Sequence, residues 1–135
     1  RDSLDTVMGC VSDKFRSGVV IPHWCMKLFI NAYTTPGTDM NDPRLSPMFY
    51  DASKFPKYVA VACGDADTLY RMSFDLMKKI SGSASGTNVD GSRKFICVLN
   101  EAHEFNTFGR TRASQEERDR VEGEAINMIR ASWRQ

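Results

Sequence analysis

The sequence predicts an α/β fold, and three observations predict it. Tyr58–Cys63 and Phe95–Leu99 are short continuous apolar runs, the length of strands buried on both faces. An amphipathic segment separates them, and a second one follows the later run. Strand, helix, strand, helix calls for a parallel pair joined by a helical crossover.

The elements follow in order. Leu4, Val7, Met8, Val11 and Phe15 recur at helical spacing, with Ser3 as a cap and Gly18 as the stop. Pro22 opens a second helix, whose apolar side is Trp24, Leu28, Phe29 and Ala32 or Tyr33. Residues 34–47 read as loop, because Pro36-Gly37, Asn41-Asp42-Pro43 and Ser46-Pro47 are turn or extended signals. The first strand covers residues 57–63. The helix after it, near 68–80, carries Leu69, Met72, Ser73, Leu76 and Ile80 on one face. Residues 81–92 are rich in Ser and Gly and read as a flexible surface insertion. The second strand covers 94–99. Ser114 with Glu117 forms a capping-box signal for the last helix, which presents Val121, Ala125, Met128, Ile129 and Trp133.

Composition narrows the function. The 135 residues permit one modest core, and the formal net charge of +1 implies no nucleic-acid or anionic-membrane partner. There is no apolar run of membrane-spanning length and no signal-peptide pattern. Cys10, Cys25, Cys63 and Cys97 lack Cys-x-x-Cys spacing, so no structural zinc is expected. Cys63 and Cys97 read as small buried hydrophobes, and Cys10 with Cys25 form a conceivable disulfide only in a secreted parent. The compartment stays open.

Both strands end in a polar loop that carries titratable side chains. The first runs into Gly64-Asp65-Ala66-Asp67, the second into Asn100-Glu101-Ala102-His103. Acid followed by histidine, each beyond a strand end, is the order of the last two members of a Ser…Asp/Glu…His triad. No Gly-x-Ser-x-Gly string occurs in the chain. Two strands also make a poor sheet, since buried parallel strands need paired neighbours. With Arg1 in place of a methionine, the chain reads as cut from a larger protein, with more polypeptide N-terminal to it.

Three strings resemble the hormone-sensitive-lipase-like branch of the α/β-hydrolases, also called the α/β-hydrolase fold-3 esterases. Asn41-Asp42-Pro43-Arg44-Leu45-Ser46-Pro47 resembles the family's Asp-Pro-x-x-Ser-Pro stretch. Gly64-Asp65-Ala66-Asp67-Thr68-Leu69 resembles its Gly-x-x-Asp-x-Leu segment, and Ala102-His103-Glu104-Phe105 its His-Gly-Phe segment. Their order and spacing over about residues 21–133 carry the resemblance. Glu104 departs from it, standing where glycine is usual, and Thr68 stands where proline is common.

The resemblance implies that residues 1–50 are cap helices with a connecting loop, and 51–135 the C-terminal portion of the hydrolase core. It implies carboxylic-ester hydrolysis through an acyl-enzyme, with Asp67 as the orienting carboxylate and His103 as the base. The serine and the oxyanion loop would lie in the N-terminal portion, this chain's expected partner. Alone, the chain is expected not to hydrolyse esters. The substrate would be a small apolar ester, with Trp24, Leu28 and Phe29 as candidate pocket residues, or simply a packed cap helix. No metal or organic cofactor is implied.

Other readings stand beside these. His103 as a loop histidine bonded to backbone is the plain alternative to a base. His23, at a helix start between Pro22 and Trp24, reads as incidental. Asp65 competes with Asp67 and suits holding the loop through backbone N–H groups. Asp67 fits the spacing better, and Glu101 is the third choice. An amidase or deacetylase would use the same triad. A relative with a substituted nucleophile would bind a small ligand without turnover.

Overall fold

The computed structural model describes residues 23–103 and 112–134. The helix expected over Leu4–Phe15 lies outside them. Within them the chain is mixed α/β: a two-stranded parallel sheet with three α-helices. Helix α1 is His23–Tyr33, β1 is Val59–Gly64, α2 is Tyr70–Ser81, β2 is Arg93–Val98 and α3 is Arg112–Trp133. Two 3-10 turns, Pro47–Phe49 and Ala52–Lys54, lead into β1. Pro47 suits the first position of one, and the Asp51 carboxylate accepts Ser53 N–H at the start of the other.

The strands pair in register from Val59 with Arg93 to Gly64 with Val98. Val59 N–H donates to Ser92 O, and Asp65 N–H to Val98 O. These two bonds fix the parity of the ladder. Odd residues of β1 and even residues of β2 point their backbone groups at each other, while Ala60, Ala62 and Arg93, Phe95, Cys97 point theirs outward.

Side chains alternate across the sheet. Val59, Val61, Cys63, Phe95 and Cys97 meet α2, where Met77 and Ile80 are fully buried. Phe95 packs against Phe74 and Tyr70, with ring centroids 5.1 and 5.5 Å away. The inward face of α2 is therefore Tyr70, Phe74, Met77 and Ile80, with Leu76 packed beside them. Of the face expected from Leu69, Met72, Ser73, Leu76 and Ile80, Ile80 is in the core and Leu76 packs against it, while Met72 is exposed. The period holds but its phase differs: the aromatic positions turn inward to stack on Phe95.

Cations tie the ends of these elements. Gly82, in the left-handed region, caps α2 with its N–H on Lys78 O. The Arg93 guanidinium donates to Ile80 O at that helix end, and to Phe55 O and Pro56 O ahead of β1. Lys79 donates to Met48 O and Tyr50 O.

Helix α3 lies on the opposite face. Its Glu124, Asn127, Met128 and Ala131 look across a cleft of about 260 Å³ at Tyr58, Ala60, Lys94 and Ile96. Lys94 and Glu124 form an ion pair there. Ile126, Ile129 and Trp133 are exposed, so Ile129 and Trp133 are not on the sheet-facing side. The helix begins at Arg112, two residues before the start expected at Ser114.

Two further expectations change. Strand β1 is buried on both faces only at its Cys63-Gly64 end, because Ala60 is exposed beside the cleft. The Ser/Gly segment is a hydrogen-bonded loop. Asn88 exchanges bonds with Arg93 through Oδ1 and N–H, Asp90 accepts Ser92 N–H, and the Ser83 and Ser85 hydroxyls pair. Gly86 is buried in it with φ +74°, close to the Phe74 ring and Phe95 Cβ. The loop thus has core contacts that its composition hides.

Candidate active site

The site forms where the carboxyl ends of β1 and β2 lie side by side. Parallel strands gather their exit loops at one end of the sheet, whatever the sequence separation. Beyond β1, Asp67 N–H donates to Gly64 O at 3.1 Å, turning the chain back tightly. Tyr70 N–H donates to Asp67 O, and Leu69 N–H to Asp67 Oδ1 at 2.8 Å, so the acid also holds the turn that leads into α2. Its side chain is held by the turn it makes.

The loop after β2 lies against this turn. Ala66 N–H donates to Glu101 O at 3.1 Å, and Asn100 N–H to Asp65 Oδ1 at 2.7 Å. Asn100 takes φ +61°, in the left-handed region that asparagine tolerates. Gly64 has no side chain, and the backbone of Glu101 and Ala102 occupies that space. These contacts bring His103 to Asp67.

His103 Nδ1 lies 2.9 Å from Asp67 Oδ2. An ionised carboxylate only accepts, so Nδ1 carries the hydrogen and Nε2 keeps the free lone pair of a neutral imidazole. Asp67 is 7% exposed, while the His103 side chain keeps 30% of its surface open. The acid is shielded and its partner accessible. The carboxylate paired with His103 is thus that of Asp67. Asp65 ties the loops together, and Glu101 contributes its backbone carbonyl.

Cys63 completes the surroundings of the acid. Burial first, and the Asp67 carboxylate second, push its thiol up to about 12. It therefore stays neutral beside Asp67. Cys25, Cys63 and Cys97 are free thiols; Cys10 lies outside the described residues.

Among the candidate pocket residues, Trp24 is 70% exposed, and Leu28 and Phe29 are more than half exposed. The cleft under α3 is at the other end of the strands and is lined by neither Asp67 nor His103. Among the described residues, no group of three or more His, Cys, Asp or Glu could hold a metal ion, and no helix is long and apolar enough to cross a membrane.

Gly64, Ala66, Asn100 and Cys63 were not singled out as site residues by the sequence. A glycine directly after an apolar strand is the one signal that marks such a close approach in advance. Compared with protein-family models, curated proteins and solved structures, the chain matches none.

Proposed function

We propose that this chain is the acid- and base-bearing part of a serine hydrolase that cleaves carboxylic esters, of the esterase or lipase type. The observation that carries the reading is the Asp67 Oδ2 to His103 Nδ1 contact at 2.9 Å, between loops at the ends of adjacent parallel strands. The order of the pair and the three family-like strings support it.

In this reading a serine hydroxyl from an N-terminal portion lies against His103 Nε2. A serine hydroxyl is a weak nucleophile until a base takes its proton. Nε2 removes that proton as Oγ attacks the ester carbonyl. The imidazolium then returns it to the departing alcohol, leaving an acyl-serine. Water, deprotonated by the same nitrogen, releases the acid. Asp67 keeps the productive tautomer and stabilises the imidazolium without accepting the proton itself. Its second oxygen, held by Leu69 N–H, keeps the carboxylate from rotating away.

The test is ester turnover of the polypeptide that unites this chain with its serine. Asp67→Asn is expected to lower kcat by about 10²–10⁴, as in the serine-protease template. His103→Ala is expected to be at least as damaging. Near-full activity of His103→Ala at matched folded fraction would overturn the reading.

A further inference from the structure

Cys63 and Cys97 stand directly opposite each other. They are register partners near the carboxyl ends of β1 and β2, and both are free thiols. Both face α2: Cys63 belongs to the buried core, and Cys97 packs against it while staying partly exposed. Neighbouring strands lie about 4.7–4.9 Å apart. A disulfide spans Cα atoms about 4.4–6.8 Å apart, so register partners are within its reach. Its Cβ atoms stand about 3.5–4.5 Å apart, closer than two side chains projecting side by side from neighbouring strands. Closing the bond therefore draws residues 63 and 97 together.

The next residue along each strand anchors the acid-bearing turn. Gly64 O accepts Asp67 N–H at 3.1 Å, and Val98 O accepts Asp65 N–H at 3.0 Å. The turn has no slack for such a movement, because the Glu101 backbone already fills the space beside Gly64.

We propose that Cys63 and Cys97 are a reversible thiol–disulfide pair, oxidised by a low-molecular-weight disulfide, and that closing it displaces Asp67 from His103. The Cys97 thiolate, the more exposed of the two, attacks one sulfur of the oxidant and releases the other half as a thiol. The Cys63 thiol then loses its proton to solvent and attacks the Cys97 sulfur, expelling the second half. Two protein thiols are oxidised, and one small disulfide is reduced to two thiols. Burial first, and the Asp67 charge second, keep the Cys63 thiol protonated, so the second step is the slow one. A bond closed under tension reopens readily to excess thiol.

The test incubates the native polypeptide that carries these residues with oxidised glutathione, alkylates the remaining thiols and digests with trypsin. Cleavage after Lys57, Arg71, Lys94 and Arg110 leaves Cys63 in residues 58–71 and Cys97 in residues 95–110, apart from Cys10 and Cys25. The expected product is these two peptides joined, and freed again by dithiothreitol. It should exceed the glutathione adduct of Cys97 by at least about 10-fold, since the second attack is intramolecular. The His103 ring ¹⁵N resonances should shift on oxidation and return on reduction, as Nδ1 loses and regains its 2.9 Å partner. In Cys97→Ser, or in Cys97→Ala if the serine variant does not fold, neither the joined peptide nor the shift should form. Glutathione left on Cys97 with Cys63 alkylated overturns the proposal. Joined peptides that form only in urea, or that leave the His103 resonances unmoved, also overturn it. Neither readout uses ester turnover, so failure of the hydrolase reading leaves this test standing.

Discussion

Gly64 and Glu101 approach so closely that a Cβ on the glycine falls 2.1 Å from the glutamate's carbonyl oxygen. The obstacle is backbone, which cannot rotate away as a side chain would. That contact, with Ala66 N–H on the same oxygen, sets the distance between the two loops. The Asp67–His103 pair depends on it although neither Gly64 nor Glu101 brings its side chain to the pair.

Gly64→Ala is therefore expected to push the loops apart. Forced overpacking of this kind costs about 1–3 kcal/mol. Chemical denaturation of wild type and variant measures it as a lowered midpoint at unchanged slope. Ester turnover per folded molecule should fall as well, because His103 moves with its loop. An unchanged midpoint would mean that the 101–102 backbone is free to slide.

Asp65 and Asp67 make a contrasting pair. Asp65→Asn keeps an oxygen that can accept Asn100 N–H, so it is expected to cost less than about 1 kcal/mol and little activity. Asp67→Asn keeps the shape but places an amide where Nδ1–H needs an acceptor, or reverses the imidazole tautomer. Its loss is in turnover, with stability largely kept. If Asp65→Asn is crippled while Asp67→Asn stays active, the roles assigned to the two acids are reversed.

The α/β order was legible because β1 and β2 are apolar runs bounded by Pro56 and Gly64, and by a Ser/Gly tract and Asn100. Asp67 and His103 were legible because strand ends in a parallel sheet converge, a property of topology and not of neighbouring residues. The phase of α2 was not. Tyr70 and Phe74 read as well outside as inside until Phe95 is placed against them. The loop at 82–91 was misread for a similar reason. Its anchors are backbone groups, a threonine hydroxyl and a buried glycine, which leave no trace in hydrophobic patterning. The last helix begins two residues ahead of Ser114, because a capping string cannot report where a helix has already begun.

Asn100 offers a test of the loop itself. At φ +61° a β-branched side chain is strained, while glycine is at ease. Asn100→Gly is expected to change stability by no more than about 0.5 kcal/mol, and Asn100→Val to lower it by about 1–2 kcal/mol. Thermal denaturation of both variants distinguishes strain from a requirement for the amide side chain. Equal losses in the two would point to the side chain.

Cys63 predicts a pH dependence that belongs to the folded state. Its thiol rises from an ordinary value of 9.0 to about 12, through burial first and the Asp67 charge second. The phenol of Tyr70 rises from 10.0 to about 12, through burial first and Cys97 next. In each case the unfolded chain releases its proton at a lower pH than the folded one. Rising pH therefore favours unfolding, and the contribution is whole below pH 9 and lost progressively toward 12. The Tm of the wild type should fall between a pH below 9 and one above 10, and Cys63→Ala should lose part of that slope while Tyr70 keeps the rest. Asp67→Asn should flatten it less, since the carboxylate is the smaller cause. Identical slopes for wild type and Cys63→Ala would show that the thiol beside Asp67 is not held neutral by the fold.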